Sequence, residues 1–138
     1  MDVYAENILD HYRNPRFKGE VEDPTVSHSE ANHSCGDQLS VSLKISDGKI
    51  TEIGWQGTGC AISQAAMSML AEELEGMLVE NAEQLSKAEI IELLGVPIGA
   101  RRTKCALLCL HTLKNALRAA TGKDPQSWLQ TVEVVEEN

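Results

Sequence analysis

Apolar and polar residues alternate from 39 to 45, where Leu39, Val41, Leu43 and Ile45 are interleaved with Ser40, Ser42 and Lys44. A period of two predicts a strand with one buried face. Asp47-Gly48 is a hairpin-turn dipeptide, and the segment ITEIGWQ, residues 50–56, returns as a second strand. Elsewhere the period is helical. Val3, Tyr4, Ile8, Leu9 and Tyr12 predict an N-terminal helix over 3–12, ended by Asn14-Pro15. The stretch that follows, rich in Pro, Ser, Asp and His, reads as loop to about residue 33. Beyond Cys60 the pattern predicts a helix over 61–75 ending near Gly76, and a second that Ser86 caps and that stops before Gly95 and Pro97. A third runs over 101–121 to Gly122, and Asp124-Pro125 opens a last one. The order predicts an α+β fold: an N-terminal helix, a small antiparallel sheet with the hairpin as its core, and C-terminal helices covering it. No repeat, low-complexity segment or linker interrupts residues 1–138, which read as one domain.

The hairpin register decides which residues meet at its open end. A three-residue loop, Ser46-Asp47-Gly48, would pair Val41 with Ile53 and Leu39 with Trp55, setting apolar against apolar. A strict two-residue turn would set Leu43 against Glu52 and mix the faces, so the first register is expected. Either one brings Cys35 beside Gly59 or Cys60, while Asp37, two residues along the strand, points to the same face as Cys35.

Composition narrows what such a cluster could serve. Hydrophobic residues make up 42% and charged residues 24%, ordinary for a globular protein. The formal charge of −9, from 21 Asp and Glu against 12 Lys and Arg, argues against nucleic-acid binding, which needs clustered cations. Neither a basic leader with an apolar run nor an apolar stretch approaching about 18 residues is seen, so no membrane role and a cytoplasmic setting are expected. In that setting the four cysteines, Cys35, Cys60, Cys105 and Cys109, point to metal, catalysis or burial before disulfides.

Cys60, in GTGCAIS, sits where a strand ends and a helix begins, so its sulfur lies near the positive end of that helix, a position that favours a thiolate. Cys105, in RRTKCALLC, stands near the start of the long helix with Arg101, Arg102 and Lys104. Cations there oppose the helix dipole and suit an anion such as a thiolate; the alternative is a solvated basic turn beside a buried Cys. On a helical wheel Cys109 falls in an apolar arc with Ala106, Leu113, Ala116, Leu117 and Ala120, and reads as a core residue, with a fifth ligand as the alternative. His111, with Lys114 and Arg118, lies on the other side and reads as solvated. His11 and His28 have no evident partner, and His33, two residues before Cys35 and the one His near the cluster, reads as a loop residue; all three stay outside the site.

The segments DHYRNPRFKG, NHSCGDQLSVSL, GTGCAISQAAMS and RRTKCALLCLHTLKNAL resemble the iron-sulfur cluster assembly proteins IscU, SufU and the N-terminal part of NifU, in order and over nearly the whole chain. The resemblance implies Cys35, Asp37, Cys60 and Cys105 as ligands of a transient [2Fe-2S] cluster, a cysteine desulfurase and recipient apoproteins as partners, and a carrier role rather than independent turnover. Within it the chain is mixed. Lys104 stands where IscU members usually carry a His, and GVPIGARR where they carry Leu-Pro-Pro-Val-Lys. Arg102 and the GCAIS motif look more like SufU, the zinc-bound sulfur acceptor, but SufU's insertion between the second and third cysteines is absent from 61–104. By that resemblance the same four residues would hold Zn2+, a cysteine among Cys35, Cys60 and Cys105 would take persulfide sulfur, and Arg102 would pair with Asp37 when it leaves the metal. A purely structural zinc site is the third reading.

Overall fold

A computed structural model describes residues 3–33 and 36–133 of the chain. The elements follow in the order α1 (Val3–Arg13), β1 (Val26–Asn32), β2 (Asp37–Ser46), β3 (Lys49–Thr58), α2 (Ala61–Leu74), α3 (Val79–Glu83), α4 (Lys87–Leu94), α5 (Ala100–Ala120) and α6 (Trp128–Glu133). The architecture is the expected α+β one, with the sheet three-stranded and antiparallel in the order β1-β2-β3.

The hairpin turn has two residues, not three. Asp47 and Gly48 both take positive φ, 54° and 73°, the pair of left-handed conformations that a tight hairpin favours. The mixed faces that argued against this turn do not arise, because the register shifts between Lys44 and Ile45 and leaves Thr51 as an extra residue on β3. Leu43 then faces Ile53, and Val41 faces Trp55, rather than the expected Ile53. A bulge thus reconciles the turn chemistry with the apolar pattern, a solution that alternation alone does not reveal.

β1 lies within the stretch expected to be loop. Its inward positions, Val26, His28, Glu30 and Asn32, are only half-buried and three are polar, so it carries no apolar alternation. It packs on α5 through polar contacts instead: Glu30 Oε2 accepts from Asn115 Nδ2 at 2.9 Å and lies 2.6 Å from His28 Nε2.

α5 is the central element. Every residue from Cys105 to Leu113 is buried, so there is no solvated face at His111. That His is buried by α6: its Nδ1 lies 2.6 Å from Thr131 Oγ1 and its ring meets Trp128 edge-on at 4.9 Å. Ala120, placed in the apolar arc by the wheel, is exposed at the helix end. α6 begins at Trp128 rather than at Asp124-Pro125, because Ser127 caps it: Gln130 N–H donates to Ser127 Oγ, and Ser127 N–H to Gln130 Oε1. Ser86 caps α4 in the same reciprocal manner, through Glu89. On the other side of the molecule α1 packs on α2, joined by His11 Nδ1 and Ser68 Oγ at 2.7 Å.

The outer edge of β3 is covered twice. Trp55 N–H donates to Phe17 O at 3.2 Å and accepts at its carbonyl from Gly19 N–H at 2.7 Å, while Ile50 N–H donates to Met77 O at 2.9 Å. Its outward hydrogen-bonding groups are therefore engaged at Ile50 and at Trp55, which shortens the edge that a second chain could pair with. The Asp37 end of the hairpin stays exposed to solvent at Cys60.

Candidate metal centre

Asp37 opens β2, and Cys60 follows the last residues of β3 as the N-cap of α2, with extended φ and ψ of −74° and 165°. The hairpin pairing of Gln38 with Thr58 carries both to one end of the sheet. The Cys60 N–H, which would otherwise lack an intrahelical acceptor, donates to Asp37 Oδ1 at 3.0 Å. The other carboxylate oxygen, Oδ2, lies 3.7 Å from Cys60 Sγ. Asp37 is 2% exposed, so its carboxylate is held by this amide rather than by solvent.

Cys105, from the second turn of α5, completes the group. One donor atom from each of Asp37, Cys60 and Cys105 lies within 4.8 Å of the others. Cys105 is 7% exposed, whereas Cys60 is exposed. Cys35 lies outside the described residues. A groove of about 740 Å³ opens beside the group, lined by Ile8 and Leu9 of α1, Val96 and Ile98 of the loop before α5, and Arg102. Arg102 thus shares that groove with Cys60 and Cys105. Cys109 is fully buried, with burial pushing its thiol up to about 12, and its Sγ points back to the Ala106 carbonyl at 3.5 Å. A thiol so placed is neutral at ordinary pH, as a core residue requires. Among the described residues it belongs to no metal-ligating group.

Two further residues position the group. Gly59 has φ of 138°, and a Cβ there would lie on the Asp37 carboxylate. Ser63 is fully buried; its Oγ donates to the Cys60 carbonyl at 3.1 Å and lies 3.9 Å from Cys60 Sγ. Glycine before Cys60 was visible in GTGC, but the carboxylate that excludes a side chain there is 22 residues away in sequence and is brought in only by the sheet register.

Two soft sulfurs and one hard oxygen, converging where an exposed thiol gives access, suit iron or zinc rather than magnesium or calcium. Two donors are carried on helix starts and one on a strand start, so the geometry depends on the packing of α2, α5 and the hairpin together.

Residues 3–126 match the family model described as the NifU-like N terminal domain. The iron-sulfur cluster assembly scaffold protein IscU of Thermotoga maritima is 35% identical over 132 residues, covering 84% of this chain and 93% of its own. The zinc-dependent sulfurtransferase SufU of Bacillus subtilis is 30% identical over 137 residues, covering 87% and 92%. Among solved structures, the SUF-system protein FiSufU of Fervidobacterium islandicum superposes with a TM-score of 0.68 at 30% identity, covering 81% of this chain and 94% of its own.

Proposed function

Because the chain belongs to the NifU-like N-terminal domain family, we propose that it is an iron-sulfur cluster assembly scaffold, a single domain over 1–138 that gathers iron and sulfide into a transient [2Fe-2S] cluster and hands it to apoproteins. The ligands in this reading are Cys35, Asp37, Cys60 and Cys105. The observation that carries it is the convergence of Asp37, Cys60 and Cys105 within 4.8 Å beside a solvent-open groove. Burial in a closed shell would suit a permanent structural metal; an exposed Cys60 suits cargo that must leave.

Thiolates supply affinity for the cluster, and the carboxylate makes one corner weak. Asp37 is suited to that task as the hard donor beside the thiols: its Oδ1 accepts from the Cys60 amide, and its Oδ2 lies 3.7 Å from Cys60 Sγ. Sulfur would arrive from a cysteine desulfurase. Arg102 lines the groove with Cys60 and Cys105, and in this reading it pairs with Asp37 when the carboxylate leaves the metal.

The exposure of Cys60 also favours the second reading, a zinc-dependent sulfur acceptor. There the Cys60 thiolate attacks the outer sulfur of the desulfurase persulfide, a new sulfur-sulfur bond forms, and the donor cysteine leaves as thiolate. Anaerobic purification followed by iron, zinc and acid-labile sulfide analysis tests the proposal. Iron and sulfide in equal amounts support the scaffold; stoichiometric zinc without sulfide supports the acceptor.

A further inference from the structure

The protein carries 21 acidic residues against 12 Lys and Arg, yet the charged residues that line two depressions at the Cys60 end of the hairpin, Arg102 and Lys18, are both basic. One depression is lined by Cys60 itself and a second reaches Thr58. The larger, of about 740 Å³, contains Arg102 and otherwise only apolar residues, glycine and the two cysteines. The smaller, of about 390 Å³, contains Lys18 among neutral polar residues and ends at Thr58, two residues before Cys60. Among the described residues no carboxylate lines either one. Lys104, exposed on α5, precedes Cys105 directly.

The turn that presents Lys18 is built at a cost. Phe17 sits in the left-handed region with φ of 62° and is 37% exposed, held there by the backbone bonds of residues 17 and 19 to Trp55. A non-glycine residue in that conformation needs such over-determination. Lys18 Nζ in turn reaches Gln64 Oε1 at 3.4 Å, and Gln64 Nε2 donates to the Gly59 carbonyl at 2.9 Å, so the turn is tied to the mouth of the site.

We infer that Lys18, Arg102 and Lys104 form a docking rim for an acidic apoprotein acceptor that brings its empty thiol site to the groove. The inference rests on the scaffold reading and names the partner class of the same site. During transfer, each acceptor thiol gives up its proton as its sulfur bonds to iron; each displaced scaffold thiolate takes up a proton, and where Asp37 leaves as a carboxylate the proton goes to solvent. No electrons change hands. At the midpoint, ligands of both proteins crowd around one cluster as anions, and the rim offsets that charge. A sulfur donor brings a single persulfide and accumulates less charge, which is why the acceptor is the better match for three cations. An apolar groove between cations fits a partner with an apolar residue set in an acidic surface.

The test is fluorescence anisotropy with a labelled acidic plant-type apoferredoxin, titrated with the metal-free protein at low ionic strength and again at high salt. K18E and K104E should each weaken binding by about three- to tenfold at low ionic strength, and the loss should fade in high salt. K49E, at the turn end of the hairpin, should bind and assemble a cluster like the wild type. Equal weakening by K49E, or binding indifferent to K18E and K104E, overturns the rim. So does a loss seen only toward a cysteine desulfurase, which would make the donor its occupant. If the rim behaves as expected while wild-type protein assembles no cluster, the docking surface stands and the scaffold reading fails.

Discussion

At the scale of single residues, the centre is governed by how Asp37 is held. Its carboxylate is buried and anchored by the Cys60 amide, and it is the hard donor beside the thiols of Cys60 and Cys105. Asp37→Ala should therefore prolong the life of a reconstituted cluster and slow its transfer. An unchanged lifetime in a folded variant would exclude Asp37 as a ligand. Gly59→Ala probes the same carboxylate from the other side: the added Cβ would occupy the Asp37 position, so cluster yield should fall while far-UV circular dichroism stays native. Wild-type yield in that variant would contradict the packing. Cys109→Ala should retain full metal stoichiometry and cost on the order of 1 kcal/mol in urea denaturation, as for a small buried side chain. Much of this was legible beforehand, because Cys60 and Asp37 are joined by the hairpin and a hairpin can be read from alternation and a turn dipeptide. Gly59 and Ser63 were not, since their partners are set by the observed register and by the path of the chain into α2.

Among the elements, those with an apolar period were visible and those held by polar contacts were not. β1 escaped because its inward residues include Glu30, bonded to Asn115 of α5, and His28, bonded to Glu30, rather than residues packed in hydrocarbon. His111 escaped because a wheel assigns one outer face to a helix, whereas α5 is covered on that side by α6. These contacts have a pH signature. Burial holds both His11 and His111 below the ordinary 6.5, outweighing the carboxylates of Glu72 and Glu30 that face them. The unfolded chain then binds protons that the folded chain refuses, so their contribution to stability is complete above about 6.5 and is lost as pH falls through that value. Glu30 acts lower: burial raises its carboxyl, but hydrogen bonds from His28 and Asn115 prevail and hold it below 4.5, so its contribution is lost only in stronger acid. The urea midpoint should fall between pH 7.5 and 5.5, and His111→Gln, which can still hydrogen-bond but does not titrate, should flatten that fall. An unchanged slope would remove His111 from the account.

Across the whole molecule, three elements carry the described donors to one end of the fold, and the groove beside them stays open. The fold class was readable because helices and hairpin alternate cleanly in sequence; the meeting of Cys105 with the hairpin was not, since it depends on α5 packing across the sheet. Among the described residues no helix is long and apolar enough to cross a membrane. The central claim is that this end assembles and releases an iron-sulfur cluster. Its most direct measurement is anaerobic incubation of the metal-free protein with ferrous iron, cysteine, a cysteine desulfurase and reductant, followed by addition of an apoferredoxin. The account predicts visible charge-transfer absorption that grows on the protein, is suppressed by zinc, and moves to the ferredoxin. A zinc-loaded protein that accelerates the desulfurase and carries a persulfide, while the iron-supplied protein never yields a transferable cluster, would contradict it.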